Sequence, residues 1–142
     1  MAGRVQQEIR QSKPLAPAHE AALNIQRTAT LLRQEVERTT GLKHAEYNIL
    51  RILRGAGADG LHADEIKERL LTEEPMLLGY IGSLAQRGLV APGVQKRAIT
   101  AEGIRVLAEL DDRVTRMMEA RMDRLTGAEL RSLIDTLEKL RG

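Results

Sequence analysis

At 142 residues the chain has the size of one domain and enough length to bury a core of its own. Two Tyr, no Phe and no Trp leave nothing from which to build a base-stacking platform, and the absence of Cys excludes disulfides and thiolate chemistry. A net charge of +2 on a chain that is 30% charged describes a mixed surface, where the placement of charge matters more than its sum.

Residues 1–16 carry Arg4, Arg10 and Lys13 against Glu8 and run into Pro14 and Pro17, which predicts a polar, disordered arm. The stretch lacks the apolar centre of an export signal, and no run approaches the roughly 18 apolar residues of a membrane span. With the missing Cys, this points to a cytoplasmic protein. From Ala18 to about Thr40, Ala22, Ile25, Ala29, Leu32 and Val36 recur at steps of three and four, the stripe of an amphipathic helix, with Gly41 as its stop. A second helix is predicted over roughly Lys43 to Arg54, with Ala45, Ile49, Leu50, Ile52 and Leu53 inward. Residues 55–60 are too glycine-rich for regular structure, and no Lys-Ser or Lys-Thr follows to make them a phosphate loop. A short helix, about Ala63 to Leu71, buries Ile66 and Leu70.

Thr72 suits the N-cap of the next helix, with Glu73 and Glu74 in its first turn, Arg87 at its end and Gly88 closing it. Leu89 and Val90 then begin an extended piece, Pro92-Gly93 marks a turn, and Arg97 to Thr100 returns as a strand, giving a small β-hairpin. Thr100 caps a long helix with apolar positions Ile104, Leu107, Leu110, Val114, Met117, Met118, Met122 and Leu125, and with Asp111-Asp112-Arg113 on its solvated face. Thr126-Gly127-Ala128-Glu129 is a capping box that opens a last helix carrying Leu130, Leu133, Ile134, Leu137 and Leu140.

The expected fold is mainly α with a small β-hairpin: a winged helix-turn-helix core over 42–100, flanked by long helices over 17–41 and 101–142, all one domain after the arm. The flanking helices carry more apolar face than so small a core can cover. Burial against a second copy is the simplest remedy, so a symmetric homodimer is expected through these dimerisation helices.

Several fragments in order resemble the MarR family of bacterial regulators. They are Gly41-Leu42 with Glu46-Tyr47-Asn48-Ile49-Leu50-Arg51-Ile52-Leu53, then Gly60-Leu61 with Glu65-Ile66 and Leu70. Leu84-Ala85-Gln86-Arg87-Gly88-Leu89-Val90 and Ile99-Thr100-Ala101-Glu102-Gly103 follow, so the resemblance spans about residues 41–110. It implies a homodimer that binds palindromic duplex DNA and is often released by small, frequently aromatic ligands. Two departures bear on the reading face. The wing, Val90 to Ile99, is several residues short and has no Asp before Arg97, which leaves Lys96 and Arg97 as phosphate contacts.

The second departure is the recognition helix. With Leu77, Tyr80, Ile81 and Leu84 buried, the outward positions are Glu74, Pro75, Met76, Leu78, Gly79, Gly82 and Ser83. None of these is an Arg, Lys, Asn or Gln, the residues that read base edges. Thr72, Pro75, Met76, Gly79 and Ser83 are the candidates nearest the major groove, making mostly backbone and shape contacts. From His62 to Arg97 five positive residues meet five negative ones, which gives phosphates no net attraction.

His44 and Tyr47, one helical turn apart near the core–helix junction, are candidate lining for a small-molecule effector; core packing for Tyr47 and solvent for His44 are the plainer alternatives. His19, His44 and His62 have no partners at metal-ligand spacing, so no metal and no cofactor is expected. No nucleophile has a neighbouring base, which argues against an enzyme. The leading expectation is a DNA-binding transcription regulator. The alternative is a winged-helix dimer with a degenerate reading helix that binds a protein through Met76 and Leu78.

Overall fold

A computed structural model describes residues 3–10, 15–70 and 75–142. Among the described residues seven α-helices run in chain order: α1 (Arg4–Arg10), α2 (Pro17–Thr40), α3 (His44–Ala56), α4 (Ala63–Arg69), α5 (Leu77–Gln86), α6 (Ala101–Met122) and α7 (Gly127–Arg141). The arm is therefore not featureless. Residues 4–10 form a short helix against α2, where the Gln6 side chain donates to the Glu20 carboxylate.

Helix ends follow their caps. Pro17 opens α2, its missing amide proton costing nothing in the first turn, and Gly41 ends it in the left-handed region at φ 69°, its N–H reaching the Glu37 carbonyl. Glu46 accepts from the Lys43 amide at 2.8 Å at the start of α3. The glycine-rich segment is more regular than expected. α3 runs on to Ala56, and Gly57–Asp59 adds one 3-10 turn.

Ile49, Leu50 and Leu53 of α3 are fully buried together with Ile66, Leu84, Val90 and Leu107, so α3 is the axis of the core. α2 packs along α6 on the other side, tied by Arg121 donating to Glu35 at 3.2 Å.

The expected β-hairpin is not present as strands. Among the described residues there are two isolated antiparallel bridges, Leu61 with Arg97 and Val90 with Ile99. Leu61 and Arg97 exchange both backbone bonds, at 2.8 and 2.7 Å, and Ala91 donates to the Ala98 carbonyl at 2.8 Å. Beyond Ala91 and Ala98 no further backbone bond crosses the wing among the described residues. The wing is thus a loop pinned at its base, with Val94 at its tip 91% exposed.

α7 buries none of its residues within the chain; Leu133, Ile134 and Leu140 face solvent, as do Ile25 and Leu31 of α2. Among the described residues no helix is long and apolar enough to cross a membrane.

Candidate nucleic-acid interface

α4 and α5 form the helix-turn-helix. Leu77, Ile81 and Leu84 are buried and Tyr80 is half-buried, and this set fixes the rotation of α5 on the core. Pro75, Met76, Leu78, Gly79 and Gly82 consequently face outward and Ser83 is half-buried. The structure thus brings Pro75, Met76, Gly79 and Ser83 to one face; Thr72, with Glu73 and Glu74, lies outside the described residues. α5 starts at Leu77, with Met76 as its N-cap, four residues later than an N-cap at Thr72 implies.

Leu78 is 65% exposed and Met76 61%, values that leave most of each side chain available to a partner. Both line an open groove of about 560 Å³ with Ala63, Asp64, Lys67 and Gly79. One polar residue of this face went unnoticed in the sequence: Gln86, the last residue of α5, is exposed and stands two turns from Gly79. The 0, 3, 4, 7 spacing of Gly79, Gly82, Ser83 and Gln86 was the available signal.

On the wing, Lys96 is exposed and Arg97 is half-buried, its guanidinium donating to the Gln95 carbonyl of its own loop. Glu65 accepts from the His62 amide at 3.0 Å, which holds its carboxyl below the usual range, with Arg69 and Lys96 adding their charge. The positive charge of the wing is therefore partly answered from within.

The junction between the core and α6 is built on Asp111. The Tyr47 hydroxyl donates to its Oδ1, Arg54 donates to its Oδ2, and the Arg51 guanidinium lies 4.0 Å away and 5.8 Å over the Tyr47 ring. Asp111 was expected on a solvated face with Asp112 and Arg113; those two are exposed, but Asp111 is half-buried between α3 and α6. Burial alone would raise its carboxyl, but the hydrogen bonds from Tyr47 and Arg54 and the two arginine charges outweigh it and hold the group below 3.8.

Tyr47 is buried, and burial first, then the bond to Asp111, push its hydroxyl up to about 12. A raised value favours the neutral phenol in the folded chain. This contribution is complete below the ordinary value of 10 and is lost as the pH rises through about 12. An ultraviolet titration should show one phenol ionising only near the upper end of that window, together with loss of helix, and Tyr47→Phe should remove the step.

His44 is half-buried, with Asn48 Nδ2 3.3 Å from its ring and its backbone N–H on Glu37 at 3.0 Å. Burial first and the Arg33 charge second hold the imidazole below 6.5, against the opposing charge of Glu37. His44 and Tyr47 thus lie at the same junction, with Tyr47 turned to Asp111. Among the described residues no cluster of three or more His, Cys, Asp or Glu side chains is placed to hold a metal ion.

No family model matches the sequence, and no curated protein matches it significantly. Solved structures do match. A MarR family transcriptional regulator from Streptomyces coelicolor superposes with a TM-score of 0.80 at 25% identity, over 89% of this chain and 94% of that one. A MarR family protein of Mycobacterium tuberculosis gives 0.69 at 25% identity, over 89% and 95%. CouR from Rhodococcus jostii, solved bound to p-coumaroyl-CoA, gives 0.73 at 20% identity, over 88% and 94%, a likeness of fold. Coverage of nearly the whole chain in both directions, on a helix-turn-helix core with long helices at either side, gives this protein the fold of the MarR-family transcriptional regulators it resembles.

Proposed function

We propose that the protein binds palindromic duplex DNA as a homodimer, with α5 in the major groove and Lys96 and Arg97 against phosphates. The observation that carries this is the way α5 is mounted: three buried side chains clamp one face while the opposite face, with Pro75, Met76, Leu78, Gly79 and Gly82, is exposed. The uncovered apolar faces of α2 and α7 support a two-fold partner, since a second copy would bury Ile25, Leu133, Ile134 and Leu140. A small effector would bind beside His44, between the core and the long helices. CouR, bound to p-coumaroyl-CoA, supports a ligand response in this fold.

A second reading has its own observation. The outward face of α5 is apolar, and Leu78 and Met76 would equally suit a protein partner. Binding to the protein's own upstream DNA across a salt series separates the two. Specific binding that weakens steeply with salt supports the regulator, and no retardation even at low salt supports the protein partner. Sedimentation at micromolar concentration should give twice the 15.8 kDa chain mass, and a monomer would end the dimer proposal.

Lys96→Ala should weaken DNA binding about equally for all sequences and reduce the salt slope by about one per protomer. An unchanged slope would take the wing out of the interface.

A further inference from the structure

We propose that Leu78, with Met76 beside it, reads the 5-methyl groups of thymines in the major groove. This rests on the duplex-DNA reading above and specifies what that face of α5 selects. Bases are ordinarily read there by side chains that donate or accept hydrogen bonds, and the first two turns of α5 carry none besides the hydroxyls of the half-buried Tyr80, packed against the core, and Ser83. What they expose is apolar.

The major groove has one apolar group, the thymine methyl. A leucine set against cytosine N4 or guanine O6 would strip water from a donor or acceptor and replace it with nothing, so other bases are penalised as thymine is favoured. Backbone shape lets the side chains reach. A Cβ built at Gly82 would meet nothing within 4 Å, and one at Gly79 only the Met76 methyl at 3.9 Å. The outer side of α5 is therefore thin, and a helix about 10–12 Å across with its side chains can seat deeper in a groove of about that width. Gln86 lies about two turns further along, away from the N-terminal end that contacts base edges in this class of motif.

The test uses the full-length protein and a duplex it selects from a randomised pool. That duplex is then rebuilt with deoxyuridine in place of thymidine, one position at a time, which removes a methyl and leaves every hydrogen-bonding group intact. Each methyl read should be worth about fourfold in affinity, the equivalent of about 0.8 kcal/mol for one buried carbon, and about fifteenfold when lost from both half-sites. Leu78→Ala or Met76→Ala should weaken binding to the thymine duplex and bring it level with the uracil duplex. Gln86→Ala should keep the uracil penalty. Both apolar residues are largely exposed, so neither variant removes core packing, and thermal melts will verify this.

Equal affinity for thymine and uracil duplexes would overturn the inference while leaving DNA binding in place. So would a uracil penalty that persists in both alanine variants. If no duplex is retained at low salt, the DNA reading itself fails, and this inference with it.

Discussion

Replacing Gly103 with Ala should lower folding stability by about 3 kcal/mol and the melting temperature by roughly 6–12 °C, against every expectation from helix propensity. Gly103 sits in the first turn of α6, where Ala would ordinarily be better by about 1 kcal/mol. Here a Cβ would lie 2.2 Å from the Leu89 carbonyl oxygen and 2.7 Å from Ile99 Cγ1. The carbonyl has no room to retreat. It accepts the Thr100 amide at 3.0 Å, while the Leu89 amide is held by the Leu84 carbonyl, also at 3.0 Å. Gly82→Ala is the matched control, since its Cβ meets open space and should add about 1 kcal/mol. Calorimetric melts of the two variants moving in the same direction would refute the account.

Asp111→Ala should cost about 2 kcal/mol, the second largest effect expected. It leaves the buried Tyr47 hydroxyl without its acceptor and Arg54 without its carboxylate, and a buried donor left unmade costs on the order of 1–3 kcal/mol. Asp111 is partly exposed, so water can reach Arg54 and the loss stays well below that of a fully buried ion pair. Asp111→Asn should fall between, because an amide oxygen still accepts from Tyr47 but carries no charge for the arginines. The depressed carboxyl also fixes the sign with pH. Its contribution is present above the ordinary value of 3.8 and is lost as pH falls below it. Urea unfolding at neutral pH and in that acid range measures both effects. If Asp111→Ala unfolds at the wild-type urea concentration, the cluster contributes nothing.

The parts of this fold that the chain declares openly are those with local chemistry at their ends. Thr100, Thr126 with Glu129, and Gly41 mark boundaries by side-chain caps and left-handed glycine, and α2, α6 and α7 begin and end at them. α1 carries no such mark: its residues are mostly polar, and contact with α2 supplies what its sequence lacks. The wing misled in the other direction, because turn residues and β-branched neighbours promise strands where so short a loop forms only single bridges.

Of the candidate interface, the outward register of α5 could be deduced from Leu77, Ile81 and Leu84 alone. Asp111 could not. Its partners Tyr47 and Arg54 are 64 and 57 residues away in the chain, and an Asp-Asp-Arg run on a helix has the composition of a wet surface.

The Thr100 hydroxyl donates to the Gly88 carbonyl at 2.7 Å and accepts from the Gly103 amide at 2.9 Å, welding the tail of α5 to the head of α6. One hydroxyl thus serves two elements at once, as the cap that starts α6 and as the tether that holds the chain leaving α5.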